Sequence, residues 1–325
     1  MVLRIGVLGA AGIAPQAVIR PVRRRDDFVV AAVASRRPGA ASSFAAEHGI
    51  PTAYDSYDEL LADDSIDVVY NALPPSGHAP LTIAALEAGK HVLCEKPAAM
   101  DATEAAAMVE ASRRTGRRLI EAFHDRYHPL TAHWLAVRDS GVLGDVQSLD
   151  AWFDVSIPYD AASIRHDPTV GGGALMDLGC YPVHWVRTFA GEEPDVVSAT
   201  QLPNALGADQ TTEAFLRFPS GIGARVHCTM DPVPFSAKLV ARGTRGELVV
   251  DNPCLPHNGH SVTLTVDGVT RRTTIGTRET YDYQLDALAQ AVLEGAPVPT
   301  EGADIVGNMM VIDAIYAAAA PGAES

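Results

Sequence analysis

Lysine is nearly absent from this chain. Of its 25 basic side chains only Lys90, Lys96 and Lys238 are lysine; the rest are arginine. Arginine stays protonated, whereas lysine can give up its proton and approach a reacting centre, so each lysine invites the question of why arginine would not serve. Cysteine is scarce as well. Cys94, Cys180, Cys228 and Cys254 form no CxxC pair and match no zinc spacing, which points to reduced thiols in a cytoplasmic protein and to no metal site. No apolar run approaches the roughly 20 residues a bilayer-spanning helix needs. The first residues lack the basic, apolar, small-residue order of a secretory leader, because residues 2–8 read as a core strand. Acidic residues outnumber basic ones, 40 to 25, for a net charge of −15. That balance gives no electrostatic support to a nucleic-acid or anionic-membrane partner.

What remains is a chain of 325 residues, 47% hydrophobic and 20% charged, long enough for two cores. Up to about residue 124 short apolar runs alternate with helical stretches. Strands are expected at Leu3–Leu8, Phe28–Ala34, 67–73, His91–Cys94 and 118–122, with helices at 13–25, 39–48, 58–61, 77–88 and Ala102–Thr115. Gly89 and Gly116 stand where a helix C-terminus favours glycine. This alternation predicts a doubly wound parallel sheet covered on both faces. Beyond residue 125 the pattern changes. Helices are expected at 128–140 and 174–189, a long strand at 146–157, then strands at 196–202, 212–218, Gly223–Thr229, 237–242, 247–251, 262–266 and 270–275, and closing helices at 281–294 and Ala303–Ala319. Turns such as Pro219-Ser220-Gly221 and Asp267-Gly268 suggest antiparallel hairpins. The expectation is an α/β domain over 1–124 and an α+β domain with a large, mostly antiparallel sheet over 125–325, whose last helices are free to pack back on the first domain.

The run Gly6-Val7-Leu8-Gly9-Ala10-Ala11-Gly12-Ile13-Ala14 leaves a strand and opens a helix. Small residues there let a backbone approach a pyrophosphate, and free amides at a helix start attract the anion. Gly9, Ala10, Ala11, Gly12 and Ile13 are therefore candidate dinucleotide-binding residues, although the second and third glycine positions of the fingerprint hold Ala11 and Ala14. The second strand ends in Ser35-Arg36-Arg37 where an NAD site has an acidic residue. A hydroxyl beside guanidinium groups suits a 2′-phosphate, so NADP is favoured, with NAD open. Ligands of open α/β sheets gather at strand C-terminal ends, which adds Leu73, Pro74 and His78, and Glu95 and Lys96 of the segment Glu95-Lys96-Pro97. Pro97 confines Lys96 to an extended backbone.

In the second half, Gly171-Gly172-Gly173 precedes a helix carrying Asp177, Tyr181 and His184 at i, i+4 and i+7, on one face. The glycines suggest close backbone approach to something flat. Together with Glu95-Lys96-Pro97, the start at Ile5 to Ala14 and the stretch 121–129, this segment makes the chain resemble, over essentially its whole length, the glucose–fructose oxidoreductase/inositol dehydrogenase (Gfo/Idh/MocA) family.

The resemblance implies a Rossmann domain followed by an open-faced sheet domain, a tightly held nicotinamide cofactor, and a homodimer or homotetramer formed through the open sheet. It matches the family's lysine to Lys96. Tyr181 stands where the inositol dehydrogenase branch has histidine, as in the branch of glucose–fructose oxidoreductase, dimeric dihydrodiol dehydrogenase and xylose dehydrogenases. The chain departs from the family at Ala11 and at His124-Asp125, which replace a more apolar pair. The expected activity is hydride transfer between NAD(P) and a sugar, cyclic diol or polyol. Tyr181 is the expected acid/base, with Lys96 favouring its phenolate and binding the substrate oxygen, and Asp177 pairing with Lys96 or holding a substrate hydroxyl. Arg126 joins the cofactor residues, and His184, His166 and Tyr283 the substrate residues; His184 equally suits a structural role. A ketoreductase of nucleotide-linked deoxysugars and a non-catalytic cofactor-binding regulator stand as alternatives.

Overall fold

The first sheet owes its layout to short strands that are apolar almost throughout. The structure, a computed structural model, describes residues 1–320. The chain divides into two compact units, Met1–His124 with Tyr281–Val306, and Asp125–Thr280 with the chain from Gly307. In the first, strands β1 (Leu3–Leu8), β2 (Phe28–Ala34), β3 (Thr52–Tyr54), β4 (Val68–Asn71), β5 (His91–Cys94) and β6 (Leu119–Glu121) lie in the order β3-β2-β1-β4-β5-β6, every pair parallel. Val7, Val33, Val69 and Val92 are fully buried, as strands covered on both faces require. The order reverses between β1 and β4, which makes a crevice at the strands' C-terminal ends. The helices are α1 (Arg20–Val22), α2 (Ala40–His48), α3 (Tyr57–Leu61), α4 (His78–Glu87) and α5 (Ala102–Thr115). Strand β3 went unforeseen because Thr52-Ala53-Tyr54 is short and partly exposed.

The second unit holds α6 (Pro129–Asp139), β7 (Val146–Asp154), α7 (Cys180–Ala190), β8 (Asp195–Pro203), β9 (Asp209–Arg217), β10 (Gly223–Thr229), β11 (Ser236–Gly243), β12 (Gly246–Asp251), β13 (Ser261–Val266) and β14 (Val269–Thr273). The sheet order is β14-β13-β12-β11-β7-β10-β9-β8, and only β7 and β10 pair in parallel. Period-two patterning fixes its faces. On β7, Leu149, Ala151 and Phe153 are buried and alternate with Ser148, Asp150, Trp152 and Asp154. Helix α7 packs against β7, β10 and β11. The opposite face carries cross-strand ion pairs, Arg225 with Glu213, Arg242 with Asp150 and Glu247, and Lys238 with Asp251.

Two helices follow, α8 (Thr280–Glu294) and α9 (Ala303–Ala319). The first unit reclaims Tyr281–Val306, through Arg24–Asp282 at 2.8 Å, Arg25–Asp286 at 2.5 Å, Arg118–Glu301 at 2.7 Å, and Thr300 Oγ1 donating to Glu121 O at 2.7 Å. Among the described residues no helix is long and apolar enough to cross a membrane.

Two of the expected α-helices begin as wide π-turns, Pro15–Ile19 before α1 and Leu175–Gly179 before α7. Pro21 and Pro182 stand four residues after Ala17 and Leu178. Each lacks the amide that would close the α-ladder onto those carbonyls, and the turn widens around the gap.

Candidate functional site

In the first unit the C-terminal ends of β1, β2, β4 and β5 gather the expected cofactor residues. Gly9 has φ +95° and donates its amide to Ala34 O at 2.9 Å; a Cβ there would lie 3.0 Å from Leu73 Cδ2 in a backbone region L-residues avoid. Beyond it the amides of Ala10, Ala11, Gly12 and Ile13 donate to no backbone group among the described residues. Four consecutive unengaged amides opening a helical segment suit a diphosphate. Past β2, Ser35 is buried and its Oγ accepts from Arg37 N at 3.3 Å. Arg36 and Arg37 are exposed, with the Arg36 guanidinium 5.2 Å from the centre of the Tyr57 ring. Neither forms an ion pair among the described residues, so both charges stay available to a 2′-phosphate. These residues fit a phosphorylated dinucleotide.

The loop bearing Lys96 is tied down on every side. Glu95 Oε1 accepts from Tyr70 Oη at 2.6 Å, Lys96 N donates to Glu95 Oε2 at 3.3 Å, and Ala98 N to Glu121 Oε1 at 2.8 Å. The Lys96–Pro97 peptide is cis. His78 Nδ1 lies 2.9 Å from Pro97 O and Nε2 2.7 Å from Leu73 O. Its ring is buried, which pushes its pKa down to about 4. The imidazole thus braces two cofactor-side loops. Buried beside the Glu95 carboxylate, the Tyr70 phenol has its pKa pushed well up, mainly by burial.

In the second unit, Tyr181 sits in the first turn of α7, 4% exposed. Its ring meets Phe153 edge-on at 5.6 Å between centroids, and Trp185 at 6.1 Å. His184 is buried on the same helix. Asp177 lies in the π-turn, off the α-helical phase of the expected i, i+4, i+7 face, and its Oδ2 accepts from Arg165 Nε at 3.0 Å. The glycine run corrects another expectation. At Gly173, φ +131°, a Cβ would lie 2.2 Å from Asp209 Oδ1. Its missing side chain makes room for the protein's own buried carboxylate.

A family model described as "Oxidoreductase family, NAD-binding Rossmann fold" matches residues 3–123, and the GFO/IDH/MocA C-terminal domain matches residues 133–249. The chain belongs to the Gfo/Idh/MocA oxidoreductases. A D-xylose 1-dehydrogenase (NADP⁺) of Haloferax volcanii is 38% identical to it, over 99% of this chain and 98% of the relative. The trans-1,2-dihydrobenzene-1,2-diol dehydrogenase of Sus scrofa is 34% identical over 78% of this chain and 76% of its own. A solved 3-ketoreductase from Actinomadura kijaniata, in complex with NADP and TDP-benzene, superposes with a TM-score of 0.89 at 28% identity, covering 98% of each chain.

Of the remaining expected residues of this Gfo/Idh/MocA chain, Arg126 and His166 belong to the second unit and Tyr283 to the first. Arg126 is half-buried in the 3-10 turn His124–Tyr127. His166 is fully buried, Nε2 3.2 Å from Pro158 O and its ring against Tyr159. Tyr283 is half-buried on α8, in the first unit. Sequence reasoning gave no role to Tyr57, Tyr70, Arg165, Asp209 or Asp125. Their signal is a contact partner far along the chain, which spacing does not carry; only Asp125 stood out, as a carboxylate in an apolar family position.

Proposed function

We propose that this Gfo/Idh/MocA member uses NADP to interconvert hydroxyl and carbonyl groups of a sugar or a cyclic diol. The chain is an NAD(P)-dependent oxidoreductase of CH–OH groups. The observation that carries the choice of NADP is the end of β2, where buried Ser35 and exposed Arg36 and Arg37 replace the carboxylate of an NAD site. The xylose and dihydrodiol dehydrogenases among its relatives support the substrate class. Bound NADP⁺ or NADPH supplies the hydride acceptor or donor. The amides of Ala10–Ile13 hold the diphosphate. Tyr181 is assigned the proton of the reacting hydroxyl and Lys96 the charge that develops on the substrate oxygen. Asp177, oriented by Arg165, binds a further hydroxyl, and His184 supports the same wall. Arg126, His166 and Tyr283 are assigned to the surroundings of cofactor and substrate.

A second reading, reduction of a nucleotide-linked ketosugar, draws on the likeness to the 3-ketoreductase. Initial rates with NADP⁺ and NADPH against D-xylose, other aldoses, a trans-dihydrodiol and a nucleotide-linked ketosugar, with the mass of any copurified dinucleotide, separate these readings. Absence of turnover on all of them, with dinucleotide bound, leaves a cofactor-binding regulator. We assign the open sheet face to contact between copies of the chain, since Val197 and Phe215 are 60% and 45% exposed; light scattering tests it, and a monomer sinks it. The four cysteines are buried, in keeping with work in a reducing cytoplasm.

A further inference from the structure

Asp125 is a carboxylate that the proposed chemistry does not use. It is 1% exposed, and its Oδ2 accepts from Trp185 Nε1 at 2.7 Å. Its Oδ1 has no hydrogen-bond partner among the described residues. The backbone beneath it is anchored, because Asp125 O accepts from Thr131 Oγ1 at 2.8 Å and from His128 N at 3.1 Å. Burial pushes the carboxyl pKa up; the charges of His184 on α7 and of the neighbouring Arg126, with the indole bond, pull it back. Burying a carboxylate is costly, so an indole acceptor that is also acidic at this position calls for a reason.

The indole itself gives one. Trp185 is 2% exposed and stands one helical turn beyond Tyr181. Its ring is 6.1 Å from the Tyr181 ring and 6.2 Å from Phe153, which is itself 5.6 Å from Tyr181. The phenol is therefore bracketed by two rings. Phe153 is fixed by the sheet, and the Trp185 indole is fixed by the bond to Asp125. Deprived of an acceptor, a buried indole N–H is left unsatisfied, and the ring turns toward another partner, releasing one wall of the bracket.

We propose that Asp125 is a positioning residue for Tyr181, acting through the Trp185 indole. This rests on the reading that the Tyr181 phenol carries the substrate proton. A shift of about 1 Å in a catalytic group can lower turnover on the order of 100-fold, so a small rotation of the indole is enough to matter.

The test compares Asp125→Leu, Asp125→Asn, Trp185→Phe and the Asp125→Leu/Trp185→Phe double variant, with Tyr181→Phe as reference, by kcat and KM on the best substrate. Asp125→Leu is expected to lose roughly 30-fold in kcat with KM for NADP within about twofold, because binding is untouched and orientation is not. Asp125→Asn keeps an acceptor for the indole and is expected to recover most of that loss. Trp185→Phe should be as slow as Asp125→Leu, and the double variant within about threefold of the slower single one, since both remove the same bracket. A folded Asp125→Leu protein with kcat near the native value overturns the proposal, as does an Asp125→Asn protein as slow as Asp125→Leu, or multiplying losses in the double variant. Should Asp125→Leu not fold, Trp185→Phe decides: a slow enzyme with native KM for NADP supports the bracket, and native kcat overturns it. Full turnover in Tyr181→Phe topples the reading of the phenol itself, an outcome distinct from failure at Asp125 alone, in which Tyr181→Phe is inactive and Asp125→Leu is not.

Discussion

His78 places its Nδ1 2.9 Å from the carbonyl oxygen of Pro97 and its Nε2 2.7 Å from that of Leu73. Both partners are acceptors, yet burial holds the ring pKa at about 4, so at neutral pH the single ring N–H donates to one carbonyl and the other nitrogen has no proton to give. The histidine's ordinary value is 6.5. The unfolded chain therefore binds a proton first as pH falls. Stability drawn from the neutral ring is complete above about pH 6.5 and drains away between there and pH 4, by about 3 kcal/mol in all. His91 and His128 move the same way, each lowered chiefly by burial. Urea unfolding of His78→Gln at pH 7.5 and 4.5 should show a shallower loss than the native chain; an unchanged pH slope would remove His78 from the account.

The end of β2 leads to a second expectation. Ser35→Asp puts a carboxylate where the 2′-phosphate would sit, beside an acceptor site for a ribose hydroxyl. KM for NADP should rise by about 10- to 100-fold while KM for NAD falls, from lost charge-assisted bonds and added repulsion. Arg36→Ala should weaken NADP alone. The Tyr57 ring under the guanidinium steers Arg36 without adding charge, so Tyr57→Leu should produce a smaller version of the same effect. Equal kcat/KM values for the two dinucleotides across all three variants would defeat this account.

The proton-transfer roles lead to a third. Lys96→Ala and Tyr181→Phe should each lower kcat by about 10²- to 10⁴-fold, the usual worth of a positioned acid or base. Circular dichroism and melting temperature should hold, because the loop at Lys96 is tied through Glu95, Pro97 and Ala98. Near-native turnover in both variants would take the two residues out of the chemistry.

Most strands of both sheets were legible because they announce themselves locally. β1 is apolar but for Arg4, β2 is a continuous apolar run, and β7 alternates. Legibility failed where a feature depends on partners. β3 lacks an apolar run and exists because β2 offers an edge. The return of Tyr281–Val306 to the first unit was allowed for, but its anchors, Arg24, Arg25 and Arg118, each roughly 180 to 260 positions away, were not. In the candidate site, glycines, the Ser35-Arg36-Arg37 end and Tyr181 could be read from type and order. The π-turn beneath Asp177, the Arg165 pairing and the use of Gly173 by Asp209 could not, because residue spacing presumes a constant helical phase and a glycine does not reveal what fills the space beside it.

Asp209 carries the fourth expectation. This buried carboxylate accepts from Leu175 N at 2.7 Å, Thr212 Oγ1 at 2.6 Å and Tyr316 Oη at 3.0 Å. It joins β9 and α9 to the π-turn that precedes Tyr181, and Gly173 leaves it the space. Asp209→Ala strands three donors in the interior and should cost about 3 kcal/mol, since each unsatisfied group forfeits its desolvation. Tyr316→Phe removes one donor and leaves the carboxylate two, so its cost should be nearer 1 kcal/mol. With the phenol gone, Asp209→Ala strands only two donors, so the double variant should lose less than the sum of the singles. Turnover separates fold from site: the backbone of Leu175 starts the turn, so Asp209→Ala should lower kcat even well below its melting temperature, whereas Tyr316→Phe should not. Urea midpoints for the three variants, read with kcat at 25 °C, decide it; an Asp209→Ala midpoint indistinguishable from the native one would mean that the carboxylate anchors nothing.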